Sequence, residues 1–189
     1  LSWGILPVYW KLLDNVPSFE ILSHRMVWSA VFLLVLIAVQ QRLGEFRELL
    51  ESRKQIWMLL GTASLLGVNW FVYIYGVNTN RVVETSLGYF INPLLNVLMG
   101  ILFLKERLDF WRGLAVVLAL LGVLNYLWNF GSLPWIALSL AFTFSLYGLL
   151  RKVIPVKPLV GLLIETSLLA TLAAISIVFW KVEGSGNFG

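Results

Sequence analysis

The chain has 189 residues, of which 59% are hydrophobic and 13% charged, and its formal net charge is +4. An ordinary soluble domain is roughly 25% charged and under about 50% apolar, so this composition excludes a water-soluble fold, whose surface must be largely polar. The basic residues are spread between apolar runs, which argues against a nucleic-acid partner, and the absence of cysteine excludes a disulfide framework and a thiolate metal site.

Seven apolar runs follow one another along the chain, and each predicts a membrane-spanning α-helix. Their approximate bounds are 1–13, 20–40, 56–76, 83–104, 112–128, 134–150 and 159–180. The stretch 31–37 is apolar on every face, unlike the alternating strands of a membrane β-barrel. Backbone groups in lipid must also pair within their own segment, which a helix allows. The predicted fold class is therefore all-α, a polytopic membrane protein.

Both ends of the chain predict that the natural protein is longer. The first run has thirteen residues and begins at Leu1, whereas crossing a bilayer core takes about 20 residues. We therefore expect the natural N-terminus to lie upstream. The glycine-rich tail 183–189 leads to no further run, so we expect the C-terminal side to be cut or disordered.

The distribution of Lys and Arg predicts the orientation of the runs. Basic residues concentrate in the connections 41–55, 105–112 and 151–157, whereas the opposite set of connections holds only Arg81 and Lys181. We expect the basic connections to be cytoplasmic. The N-terminus is then cytoplasmic and the loop from Lys181 lies outside.

The first basic connection carries an amphipathic pattern. Leu43, Phe46, Leu49 and Leu50 share one helical face, with Arg and Glu on the other. This pattern is typical of an interfacial helix with a regulatory role or, as the alternative, of a simple amphipathic linker.

Four ionisable side chains lie within or near the apolar runs, where a charge at the bilayer centre costs several kcal/mol. They are Lys11, Arg25, Glu84 and Glu165. Lys11 and Glu84 lie near the outer ends of their runs, so snorkelling to the interface explains them as well as function does. Glu165 lies about 9 Å inside the cytoplasmic end of its run. It is either a pathway or proton-coupling residue or a hydrogen-bonded structural carboxyl.

Arg25 follows His24 and lies roughly 7 to 8 Å into its run, counted from Glu20. The pair His24 and Arg25 is a candidate for a substrate or gating role. The alternatives are that Arg25 snorkels to the interface or pairs with a carboxylate at similar depth, such as Glu84.

A stripe of small and polar residues follows the fourth run at steps of four. Its members are Glu84, Gly88, Asn92, Asn96 and Gly100. Such a ridge favours close helix packing, because glycine lets backbones approach and Asn can bond across the interface. The alternative is a polar cavity lined by the two Asn residues, beside a backbone carbonyl freed by Pro93.

The third run places Asn69 and Tyr73 one turn apart with Trp70 beside them. Tyr and Trp can flank a ligand with their apolar faces and still donate hydrogen bonds. No nucleotide-binding loop, multi-His set or other enzyme signature is present in the sequence, so neither catalytic residues nor a metal or cofactor is expected. Ten residues are candidates for a substrate pathway: His24, Arg25, Asn69, Trp70, Tyr73, Glu84, Tyr89, Asn92, Asn96 and Glu165.

Five stretches together resemble the EamA-like branch of the drug/metabolite transporter superfamily. They are 20–25 (EILSHR), 69–70 (NW), 84–94 (ETSLGYFINPL), 130–134 (FGSLP) and 163–166 (LIET). The eleven residues 84–94 are the most specific of them. Glu106, after the fourth run, is a general trait of the superfamily.

The resemblance implies a ten-helix transporter of the bacterial inner membrane, built from two inverted five-helix repeats around a central cavity. Residues 1–128 would form the first repeat, with its N-terminus truncated. Residues 134–189 would begin the second repeat, whose last three helices this chain lacks. A faint likeness between 8–17 and 146–155, each with Tyr followed by Pro eight residues later, agrees with such a repeat.

The expected function is a secondary permease that moves a small metabolite or drug by alternating access. The alternative is a non-transporting membrane assembly or interaction protein, in which the stripe on the fourth run serves only helix association. The expected partners are a small-molecule substrate and membrane lipid, with a homodimer as an open alternative to the monomer.

Overall fold

The structure is a computed structural model that describes residues 16–130 and 133–184. The first predicted run, 1–13, and Lys11 within it lie outside these residues. The described residues form seven helices and no strand: α1 (Ser18–Val39), α2 (Leu43–Glu51), α3 (Arg53–Asn78), α4 (Val82–Leu104), α5 (Phe110–Phe130), α6 (Trp135–Val153) and α7 (Pro158–Glu183). The predicted all-α fold is therefore confirmed.

Five of the described helices, α1, α3, α4, α6 and α7, are long and apolar enough to cross a membrane. α5 covers the fifth predicted run and counts among the shorter apolar helices over Phe110–Tyr126. α3 begins at Arg53 and α7 ends at Glu183, three residues beyond the apolar runs. The difference arises because polar residues can continue a helix into the interface after the hydropathy signal has ended.

The amphipathic segment after α1 forms the short helix α2. Leu49 is buried and Phe46 packs with it against residues of α1, α3 and α7. Leu43 and Leu50, predicted on the same face, are exposed, because the apolar face is wider than its contact with the bundle. Glu45 ties α2 to the connection between α6 and α7 through an ion pair with Lys157 Nζ at 2.8 Å.

The helices pack in two main pairs. α4 lies along α6 and α1 lies along α7, while α3 contacts α1, α6 and α7. α5 packs on α4. Large apolar side chains such as Phe32, Trp128 and Val178 are exposed on outward faces, as expected of helices that face lipid. The buried polar side chains, such as Thr62, Asn69 and Glu165, lie instead at contacts between helices.

Candidate functional site

Glu165 is fully buried where α7 packs against α3, and side chains of α6 reach it there. Thr62 Oγ1 of α3 donates a hydrogen bond of 2.6 Å to Glu165 Oε1. Tyr147 Oη of α6 donates one of 3.1 Å to Oε2, and Arg151 Nε lies 3.6 Å from Oε1. A carboxylate buried among apolar helices is costly unless it is paired and hydrogen-bonded. These four residues form what we call the Glu165 cluster, which joins three helices.

Arg151 reaches this cluster by folding back over the start of α7. Its Nη2 donates to the carbonyl of Pro158 at 3.3 Å, and its guanidinium lies against Gly161, where a Cβ would overlap it. The side chain is 13% exposed. The sequence placed Arg151 only among the basic residues of a cytoplasmic connection, so this role was missed. The available signal was its spacing of four from Tyr147, which places both on one face of α6.

Glu84, at the outer end of the stripe on α4, caps helix α6. Its Oε1 accepts a hydrogen bond of 2.8 Å from the backbone N–H of Ile136, which is one of the N-terminal amides that lack an intrahelical partner. Arg81 Nη2 lies 2.5 Å from Oε2, and the side chain is 2% exposed. Snorkelling of Glu84 is therefore wrong, because the carboxylate is held between α4 and α6.

The middle of the stripe is a packing seam between α4 and α6. A Cβ on Gly88 would lie 3.1 Å from both the carbonyl oxygen of Ala137 and the Cβ of Leu140. Ser145 Oγ donates a hydrogen bond of 2.9 Å to Asn92 Oδ1. The packing interpretation of the stripe is confirmed over this part.

Towards the predicted cytoplasmic ends of α4 and α6 the seam opens into a cavity of about 230 Å³. It is lined by Asn96, Met99, Gly100, Leu104, Glu106, Ser145, Gly148, Leu149 and Lys152. Asn96 thus lines the cavity, whereas Asn92 is connected to it through Ser145. Pro93 is exposed and does not line it. The cavity interpretation therefore fits the inner end of the stripe.

An aromatic group with the cation Arg25 occupies the predicted outer half of the molecule. The Arg25 guanidinium carbon lies 4.3 Å from the centroid of the Trp70 ring, a cation–π distance. Tyr73 is buried and meets Tyr89 edge to face, with ring centroids 6.1 Å apart. His24 precedes Arg25 and is half-buried.

Asn69 is the polar link between α3 and α6. Its Nδ2 donates hydrogen bonds of 2.9 Å to the carbonyl of Leu140 and to Thr143 Oγ1. The predicted residues therefore do not converge on one point. They fall into the outer aromatic group, the seam between α4 and α6 with its cavity, and the Glu165 cluster. Within the described part of the chain, no group of three or more His, Cys, Asp or Glu residues could hold a metal ion.

The sequence profile of the EamA-like transporter family matches residues 1–128. Protein RarD of Salmonella typhi is 50% identical over 99% of this chain, which covers 64% of that relative. Uncharacterized transporter YojE of Bacillus subtilis is 43% identical over 95% of the chain and 61% of its own length. Chloramphenicol-sensitive protein RarD of Pseudomonas aeruginosa is 31% identical over 97% of the chain and 62% of its length.

No solved structure matches the chain. The chain spans a little under two thirds of the length of the relatives named above. The family profile nevertheless covers well over half of this chain. The chain therefore belongs to the EamA-like transporter family.

Proposed function

We propose that the complete protein is a secondary permease that moves a small metabolite or drug across the bacterial inner membrane by alternating access. Membership of a transporter family and a bundle of apolar helices support transport. The observation that carries the proposal is Glu165, a carboxylate fully buried among apolar helices and held by groups from α3 and α6.

A buried carboxylate contributes little to stability compared with an apolar side chain in its place. Replacing a buried ion pair by apolar side chains of similar volume is often neutral or stabilising, and ionisable groups at membrane depth commonly mark ion or substrate paths. Glu165 joins α7 to Arg151 of α6. Protonation of Glu165 removes the negative charge from that ion pair and weakens this side-chain link between the two helices.

This link gives a way to couple a proton to a conformational change. A ligand shifts an equilibrium between two states only as far as it binds them differently. A proton on Glu165 favours a state in which Arg151 has left Glu165, since the intact ion pair stabilises the observed arrangement. The Glu165 cluster is thus the proposed proton-coupling site, and the cavity beside α4 lies on the proposed substrate path.

The proposal is tested by flux through the complete protein in proteoliposomes. A broad panel of metabolites and drugs, with chloramphenicol included because of the name of one relative, is assayed with and without ion gradients. We expect at least one compound to cross faster than through empty liposomes. No flux above that background for any compound, in either direction, would contradict the proposal.

Proton coupling is tested with Glu165→Gln, which keeps the side-chain shape and removes the titrating group. We expect gradient-driven flux to fall to the level seen without a gradient, because no proton can bind at position 165, and its pH dependence to disappear. Glu183→Gln is the matched control, because Glu183 is exposed at the far end of the same helix. Unchanged flux and pH dependence in Glu165→Gln would remove Glu165 from the mechanism.

A further inference from the structure

The cavity between α4 and α6 has a charged mouth and an apolar wall. Its polar groups come from Asn96, Ser145, Glu106 and Lys152, and its apolar wall comes from Met99, Leu104 and Leu149. Its volume of about 230 Å³ lies below the roughly 300–1,000 Å³ of drug-sized pockets. The cavity therefore suits a small ligand that has one polar end and one apolar end.

The turn after α4 places the backbone of Glu106 at this mouth. Lys105 ends α4 in the left-handed conformation, with φ +55°, and the N–H of Glu106 donates to the carbonyl of Gly100 at 3.1 Å. The carboxylate packs against Gly100, where a Cβ would lie 2.7 Å from Oε2. The turn after α4 thus sets the carboxylate over the cavity, and the missing side chain at Gly100 makes room for it.

Lys152 is the present counter-ion of Glu106, through an ion pair between Nζ and Oε1. The Lys152 side chain is 58% exposed, and its ammonium sits on a flexible stem of four carbons. An exposed ion pair of this kind contributes about 0–1 kcal/mol. The Glu106 side chain is itself 48% exposed, but it is shorter than that of lysine and its carboxylate packs against Gly100. The lysine ammonium is therefore the more mobile partner and can leave at small cost.

We propose that this cavity binds a small amphipathic organic cation. The ammonium of the ligand replaces that of Lys152 on Glu106, and its apolar part lies against Met99, Leu104 and Leu149. An anion is disfavoured, because any group that reaches Lys152 from the cavity also meets the Glu106 carboxylate, which packs over Gly100. The inference rests on the proposed function, since it names the substrate class that a permease would load from its predicted cytoplasmic side.

The test is equilibrium binding to the complete protein in nanodiscs, without any gradient. Three compounds of nearly equal size, benzylammonium, benzoate and benzyl alcohol, are titrated at neutral pH and followed by calorimetry. We expect benzylammonium to bind about tenfold more tightly than either of the others, since a hydrogen bond to a charged group contributes about 1.5–3 kcal/mol. Benzoate binding as tightly as benzylammonium, or equal affinity of all three, overturns the proposal.

Two variants distinguish a ligand site from a structural ion pair. Glu106→Gln is expected to weaken benzylammonium binding about tenfold, whereas Lys152→Gln is expected to strengthen it a few-fold, because the competing ammonium is gone. If Glu106 and Lys152 formed only a structural ion pair, both substitutions would change the affinity for benzylammonium in the same direction. Lys157→Gln is the control, because Lys157 pairs with Glu45 on α2. The affinity of this variant for benzylammonium is expected to stay unchanged.

Weaker binding in Lys152→Gln than in the unaltered protein overturns the proposal, and this variant decides the matter even where Glu106→Gln does not fold. The outcome is separable from that of the flux experiment. Flux without selective benzylammonium binding overturns the cation site and leaves the permease standing. Selective binding without any flux overturns the permease and supports the site.

Discussion

Glu165 owes its place in the apolar interior to side chains that are distant in the sequence. Thr62 lies 103 positions away, and Tyr147 lies 18 away. The sequence predicted the depth of Glu165, because depth follows from counting residues along a helix. It could not predict these partners, since a hydropathy pattern gives the faces of a helix and not which helix is its neighbour.

The contacts of Arg151 and Glu84 were likewise not predictable from the hydropathy pattern. The basic cluster around Arg151 predicted orientation, but the guanidinium turns back to Gly161. Glu84 was a candidate for the substrate pathway, and in the structure its carboxylate caps the first turn of α6. A functional role for Glu84 stays a prediction beside this observed structural one.

Removing Arg151 should destabilise the protein strongly. Arg151→Ala leaves the Glu165 carboxylate buried without its cation, and breaking a buried pair in this way costs about 3–5 kcal/mol. Replacing both residues, in Arg151→Leu with Glu165→Leu, should cost less than Arg151→Ala alone, because no charge is left unpaired. Reversible unfolding in mixed micelles gives both values. A loss below about 1 kcal/mol for Arg151→Ala, the size expected of an exposed pair, would contradict this account.

At the scale of helices, the stripe on α4 was predicted from the sequence alone. Steps of four drift slowly around a helix, and the structure places the stripe against α6. The sequence could not decide between seam and cavity, because the answer depends on the facing residues of α6. Leu140 meets Gly88 closely, whereas Gly148 faces Asn96 and leaves space beside it.

The close contact at Gly88 predicts a stability difference between two glycines. Gly88→Ala puts a methyl group 3.1 Å from the backbone oxygen of Ala137, and overpacking of this kind costs about 1–3 kcal/mol. Gly122→Ala meets nothing within 4 Å and should be neutral or stabilising by up to about 1 kcal/mol through helix propensity. Thermal unfolding of the two variants checks this prediction. Equal midpoints would show that α4 and α6 do not pack as described.

The attachment of α2 should depend on acid. Hydrogen bonds from Arg42 and then Lys157 lower the pKa of Glu45 from its ordinary 4.5 to about 2. A lowered folded pKa means that this contribution is fully present above about pH 4.5 and is lost as the pH falls through about 2. The ion pairs are exposed to solvent, so high salt should weaken the effect.

The measurement is the mobility of a nitroxide attached to α2 at Leu50→Cys, followed by electron paramagnetic resonance. Mobility should rise as the pH falls from about 4.5 towards 2. In Glu45→Gln the label should already be somewhat more mobile at neutral pH than in the unaltered protein, although Leu49 and Phe46 still hold α2, and it should respond little to acid over that range. If the label in Glu45→Gln responded to pH as strongly as in the unaltered protein, the response would belong to a group other than Glu45.

At the scale of the whole molecule, the pairing of α1 with α7 agrees with the predicted inverted repeat. Each is the second helix of its predicted repeat, and the two pack along each other. Arg25 and Glu165 each lie seven residues after the first residue of their helix. Hydropathy predicted these spans because lipid requires apolar side chains. The pairing of helices depends on side-chain fit and was not readable from the sequence, and the repeat itself stays a prediction.

The structure is packed in its predicted outer half and open at its predicted cytoplasmic end. Tyr73 is buried in the outer aromatic group, whereas Asn96 borders the cavity near the predicted cytoplasmic side. If access alternates, these two positions should change their exposure in opposite directions. The 189 residues contain no cysteine, so single cysteines introduced here report on their own sites.

The most direct test is therefore labelling of Tyr73→Cys and Asn96→Cys in a cysteine-free form of the complete protein. A membrane-impermeant maleimide is applied from each side, with and without a compound that shows flux. We predict fast labelling at 96 and slow labelling at 73 without the compound, and a reciprocal change during transport. Labelling that rises or falls together at both positions, or that does not respond at all, would contradict alternating access.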